Sequence, residues 1–125
     1  MSPVIHCVRH AQGIHNLTTS NHHVLDPLLT TYGEQQCFNF ATEFPHHKGI
    51  ELVVASPLRR TIHTALLAFA PEIERGLKIL ALPDIQETSS LPCDSGSELA
   101  QLREEFKHMP VDLSLVEDGW QLKVS

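Results

Sequence analysis

Arg9-His10, the pair Arg59-Arg60 and Glu87 stand where residues of their types could do chemistry together. A guanidinium fork binds phosphoryl oxygens bidentately, an imidazole nitrogen can attack phosphorus, and a carboxylic acid can protonate the oxygen that leaves. Their placement is as telling as their types. Arg9-His10 closes the apolar run Val4-Ile5-His6-Cys7-Val8, Arg60 comes shortly after Ile50-Glu-Leu-Val-Val-Ala55, and Glu87 comes after Ile79-Leu-Ala-Leu82. Each run has the length and β-branched content of a buried strand. A helix starting at Ser56-Pro57 would add oriented N–H groups for the same anion. Types and positions together suggest phosphoryl transfer.

The elements between the strands must bring these residues together. Thr31-Tyr-Gly-Glu34 reads as a capping box, followed at helical spacing by Cys37, Phe40, Ala41 and Phe44 before Pro45 stops the run. Ser56-Pro57 supplies an N-cap and a first-turn proline, with Ile62, Ala65, Leu66 and Phe69 on one face of the helix that follows. Ser95-Gly-Ser-Glu98 reads as another capping box, ahead of Leu99, Leu102 and Phe106, in a charged helix that ends before Pro110. Residues 11–27 are polar, without a sustained period, and read as a long surface loop. Strand and helix alternate three times, the pattern of an α/β domain with a mostly parallel sheet. Ligands in such sheets gather at the carboxyl ends of the strands, which draws attention to Arg9-His10, Ser56 to Arg60 and Asp84 to Glu87.

Composition narrows the partners. The 125 residues make one domain, and Lys+Arg 9 against Asp+Glu 15 leaves a net charge of −6, which argues against nucleic acid or an anionic membrane. The three cysteines, Cys7, Cys37 and Cys93, are widely spaced and form no CxxC pair, so free thiols in a reducing compartment are expected. No signal peptide or membrane-spanning run is readable, and the cytoplasm is the expected location. The nine histidines include His22-His23 and His46-His47, but adjacent side chains point apart and rarely chelate one ion, so no metal is expected.

The wording around the chemical residues carries a resemblance. Val8-Arg-His-Ala-Gln-Gly-Ile-His-Asn16 resembles the signature of the histidine phosphatase superfamily, also called phosphoglycerate mutase-like. Asp26-Pro-Leu-Leu-Thr-Thr-Tyr-Gly33 with Gln36, Ser56-Pro-Leu-Arg-Arg-Thr-Ile-His-Thr-Ala65 and Pro83-Asp-Ile-Gln-Glu87 resemble later segments of the family in the same order. The Arg-His-Ala-Gln-Gly-x-His-Asn form is similar to a branch of small phosphatases of fungi and plants. The resemblance implies a three-layer α/β sandwich with a mostly parallel sheet and no cofactor. It further implies that His10 is the nucleophile and that Arg9 and Arg60 hold the phosphoryl oxygens. Glu87 would be the proton donor and later the base, and Asn16 and Gln12 would bind the substrate. Arg59 does not fit the motif spacing and is left to solvent. Gln12 stands where glutamate is frequent, which ranks phosphatase above mutase.

The family pattern also requires a later His-Gly pair, and this chain contains none. The resemblance therefore implies an amino-terminal portion, a partial domain over 1–125 lacking its C-terminal strands, with an exposed edge beside the strand that carries His10. A closing Val124-Ser125 is what the splice-donor sequence GTAAGT would encode in an intron read through. The expected activity is hydrolysis of a small phosphorylated metabolite through phospho-His10, the expected ligands that substrate or inorganic phosphate. A catalytically silent phosphate-binding or interaction module is the alternative, with association into a homo-oligomer through the exposed edge.

Overall fold

The computed structural model of the chain describes residues 2–87, 89 and 91–122; Val124-Ser125 lie outside them. Three short parallel strands, β1 (Val53–Ala55), β2 (Ile79–Ala81) and β3 (Val111–Asp112), form one sheet in the order β1-β2-β3. Val53 pairs with Ile79 and Ala55 with Ala81, and Ile79 pairs in turn with Val111. Helices α1 (Thr31–Glu43), α2 (Arg59–Ala68), α3 (Ala70–Glu74) and α4 (Leu99–Phe106) complete the α/β architecture that the alternation predicts.

Side chains alternate across a strand, so Val53, Ala55, Ile79 and Ala81 share the covered face. Two apolar clusters meet there. One joins Val53, Ala55 and Ile79 to Ala65 and Ala68 of α2, to Phe69 just after it and to Cys37 of α1. The other joins Ala81 to Leu58 and Ile62 and to Leu99, Leu102 and Phe106 of α4, with Trp120. Helix α2 touches both clusters and is the central prop. Truncating a fully buried leucine such as Leu102 would cost about 2–5 kcal/mol.

The helix starts differ from expectation. Thr30 rather than Thr31 caps α1, accepting the Gly33 N–H at 2.9 Å. The Ser56 hydroxyl does not cap α2; it meets the Thr61 hydroxyl at 2.8 Å, and the helix begins at Arg59. The orphan N–H of Arg59 is instead taken by Asp26 Oδ1 at 2.9 Å, from 33 residues away. The other oxygen, Oδ2, accepts the Ser97 N–H at 2.9 Å and the Ser97 hydroxyl at 2.7 Å just ahead of α4, in place of the expected capping box. A single buried carboxylate pins the starts of two helices. Burial pushes the Asp26 carboxyl above its ordinary pKa, and the Ser97 and Arg59 hydrogen bonds offset part of that rise.

The expected first strand is absent. Residues 2–10 form no strand pairing, and Val4, Ile5 and Val8 are exposed. Apolar composition alone does not make a strand, because its N–H and C=O groups need a neighbour, and no described strand lies beside this segment. The expected exposed edge therefore does not belong to the His10 segment. It belongs to β1, whose outer side pairs with no described strand. Residues 11–27 are irregular, with short turns at Ile14–Asn16 and Thr19–His23, but are not the surface loop expected, since Ala11, His15, Asp26 and Pro27 are buried. His108 lies in a turn just after α4 rather than inside the helix, and β3 follows, a strand of two residues that the sequence pattern did not announce. Among the described residues no helix is long and apolar enough to cross a membrane.

Candidate active site

His10 ends the unpaired N-terminal segment, and its half-buried ring is fixed from one side. Nδ1 lies 2.7 Å from the Ala11 carbonyl oxygen. A carbonyl only accepts, so Nδ1 donates and the lone pair of the neutral ring falls on Nε2. The Ala11 N–H donates to the Thr64 hydroxyl at 3.0 Å, which donates to the Arg60 carbonyl at 2.7 Å. This relay ties the His10 backbone to α2 one turn beyond Arg60. Sequence reasoning did not single out Thr64, although it stands inside the quoted Ser56–Ala65 segment.

Burial lowers the His10 pKa below the ordinary histidine value; the Ala11 carbonyl opposes this, Arg60 and Arg9 lower it further, and Glu87 pulls it back. The charges of Arg9, Arg60 and Glu87 thus all act on the ring of His10. Arg9 and Glu87 are exposed, whereas the guanidinium of Arg60 is buried. Arg60 Nη1 donates to the Cys93 carbonyl and Nη2 to Asp94 Oδ1 at 2.9 Å, while its buried Nε has no partner.

Arg59, expected in solvent, is half-buried. Its Nε and Nη2 each lie 2.9 Å from Glu105 Oε1, and Nη1 donates to the Asp26 carbonyl at 3.3 Å. It sits on the same first turn of α2 as Arg60 but is spent on α4 and the loop. The two side chains expected to bind substrate also carry internal bonds. Asn16 Oδ1 accepts the Gly13 N–H at 2.9 Å, and Gln12 Oε1 accepts the Thr30 hydroxyl at 2.8 Å. The Gln12 backbone is clamped as well, its N–H on Gln36 Oε1 and its carbonyl against Gly33, where an added Cβ would lie 2.1 Å from the oxygen. That close approach explains the glycine.

His15 is the residue that the sequence reading quoted without assigning. Only 7% exposed, its ring lies 5.5 Å from that of His10, centre to centre, and its buried Nδ1 has no hydrogen-bond partner. Burial, then Arg60 and His10, lower its pKa to about 4. Among the described residues no three histidine, cysteine or carboxylate side chains are grouped to hold a metal ion. The arrangement offers a nucleophilic nitrogen, two guanidinium groups and a carboxylate, the set that phosphoryl transfer uses.

Comparison with known proteins agrees. A protein of Schizosaccharomyces pombe named as a probable phosphatase is 30% identical over 105 residues, covering 82% of this chain and 49% of its own length. Two phosphoglycerate mutase-like proteins of Arabidopsis thaliana are 41% and 42% identical over 78 residues, which covers 54% of this chain and 29% and 23% of theirs. The chain thus spans about half the length of the fission yeast relative and less of the plant ones. The sequence model of the histidine phosphatase superfamily (branch 1) matches residues 5–119. With that match running through almost all of its 125 residues, the chain belongs to the histidine phosphatase superfamily, in its first branch.

Proposed function

We propose that the chain carries the phosphoryl-transfer site of a phosphomonoester hydrolase that works through a phosphohistidine on His10. The observation that carries this reading is the fixed tautomer: Nδ1 is held by Ala11 and Nε2 is left with its lone pair, on a ring whose pKa is lowered. His10 Nε2 attacks phosphorus, and the bond from phosphorus to the ester oxygen breaks. Glu87 gives its proton to that oxygen, and the alcohol leaves. Water then attacks the phosphorus of phospho-His10, Glu87 takes the water proton, and inorganic phosphate leaves with the His10 lone pair restored. Arg9 and Arg60 offset the charge on the equatorial oxygens throughout. A small phosphorylated metabolite is the substrate class, and the cytoplasm the location, supported by the free thiols of Cys7, Cys37 and Cys93. Mutase activity ranks lower, since the Gln12 side-chain oxygen is already occupied by Thr30.

The test is release of phosphate from an aryl phosphate ester at mildly acid pH, with His10→Ala and a chelator as controls. A rate that needs His10 and resists the chelator is expected; a rate that survives His10→Ala overturns the reading. One observation favours a second reading, a silent phosphate-binding module: Asp94 already neutralises Arg60. A folded chain that binds phosphate but hydrolyses nothing would select it. Association of copies through the outer side of β1, flanked by exposed Leu52, belongs to that reading. Light scattering would show a dimer or larger, and a monomer at high concentration removes it.

A further inference from the structure

We propose that His15 is a phosphoryl-oxygen donor of this pocket, a second imidazole placed beside His10 and seated by Gly13. The inference rests on the reading of His10 as nucleophile and adds a substrate-binding residue to it. A histidine buried for structure alone normally spends its nitrogens on partners, because an unpaired polar atom out of water costs about 1–3 kcal/mol. His15 leaves Nδ1 unpaired, at 7% exposure, with its ring 5.5 Å from that of the nucleophile. Arg60, His10 and Asp94 all act on it electrostatically.

Gly13 explains how the ring is held. Its φ of −100° is open to any residue, so backbone conformation does not call for glycine. Space does: a Cβ there would lie 2.7 Å from His15 Nδ1 and 2.8 Å from Cε1. The Nδ1 edge of the ring is therefore pressed against Gly13. A buried N–H without an acceptor is rarer than a lone pair without a donor, which assigns the lone pair to Nδ1 and the proton to Nε2. The two imidazoles then divide the work. His10 presents a lone pair on Nε2 and attacks; His15 presents an N–H on Nε2 and donates to an oxygen of the group being transferred. With positive neighbours and little water, His15 stays unprotonated near neutral pH, so its own lone pair, turned to Gly13, does not compete as a nucleophile.

Binding of orthovanadate at pH 7, followed by calorimetry, tests this with His10→Ala, His15→Phe and His15→Gln beside the unsubstituted chain. A hydrogen bond to a charged oxygen predicts that His15→Phe weakens binding roughly tenfold to a hundredfold. His15→Gln, which restores an N–H, should stay within about fivefold of the unsubstituted chain. Circular dichroism establishes that each variant is folded. A folded His15→Phe with undiminished affinity, or a Gln variant no better than Phe, overturns the role of His15. Imidazole nitrogen resonances of the unsubstituted chain give a readout that needs no substitution. The expectation is Nε2-protonated His15 at pH 7 whose resonance moves when vanadate is added. Movement at His10 without movement at His15 overturns the inference and leaves the nucleophile standing, while no vanadate binding by the unsubstituted chain overturns both.

Discussion

At His47 both ring nitrogens are engaged: Nδ1 lies 2.8 Å from Glu72 Oε1 and Nε2 lies 2.8 Å from the Ala41 carbonyl oxygen. Neither ring nitrogen is left without a partner. Phe40, Phe44 and Phe69 present their rings around it, with centres 5.1 to 6.4 Å away, and Glu72 is fully buried. At His10 and His15, in contrast, one nitrogen is fixed by Ala11 and another is buried with no partner. The same side chain thus closes a core in one region and is left chemically open in the other. Complete satisfaction makes a histidine structural, whereas His10 keeps a lone pair on Nε2 and His15 keeps a nitrogen without a partner.

The sharpest way to break this contrast is a crossed pair of substitutions. His10→Ala should lower aryl phosphate hydrolysis by at least about a thousandfold, as loss of a nucleophile does. It should shift unfolding stability by less than about 0.5 kcal/mol. Glu72→Ala should do the reverse, costing about 1–3 kcal/mol in urea unfolding because the half-buried His47 Nδ1 loses its carboxylate partner. Molecules that remain folded should keep their vanadate affinity. If Glu72→Ala abolished hydrolysis in folded protein, the two regions would be one.

The pH dependence sharpens the contrast further. The folded-state pKa of His15 is about 4 against an ordinary 6.5, so between those values the unfolded chain takes up the proton first. Its contribution to stability is complete above pH 6.5 and is lost as the pH falls toward 4. His10 acts in the same direction. Asp26 has the opposite sign: its raised pKa makes its burial costly above that value and relieves the cost on acidification. Urea midpoints measured from pH 7 to pH 4.5 should fall in the unsubstituted chain and fall less steeply in His15→Phe. Parallel slopes would show that His15 is not buried neutral. The smallest effect is expected at Asp94→Asn, which removes the carboxylate competing for Arg60 Nη2. Vanadate affinity should rise roughly threefold to tenfold by calorimetry; a fall would make Asp94 part of the binding site.

Much of this molecule was legible locally. Ile79–Ala81 announced itself by an apolar run closed by Pro83, and the faces of α1, α2 and α4 by their apolar spacing, because these signals depend on residues a few positions apart. His10, Arg9, Arg60 and Glu87 were singled out by type and motif, and Arg9, Arg60 and Glu87 each shift the pKa of His10. Val4–Val8 carried the right composition for a strand and has no described neighbour to pair with. Ser56 and Ser95-Gly-Ser-Glu98 looked like caps, but their helix starts are held by Asp26 instead.

The sequence by itself determined most of the elements, their apolar faces and the family motifs, since period and residue chemistry are properties of short stretches. Only the tertiary structure decided which partner each polar group takes. Asp26 reaches Arg59 across 33 positions and Ser97 across 71, Ala11 reaches Thr64 across 53, and Arg60 reaches Asp94 across 34. A buried polar atom must find a partner wherever the packed chain offers one, and that choice is made by the whole fold, not by its neighbours in sequence.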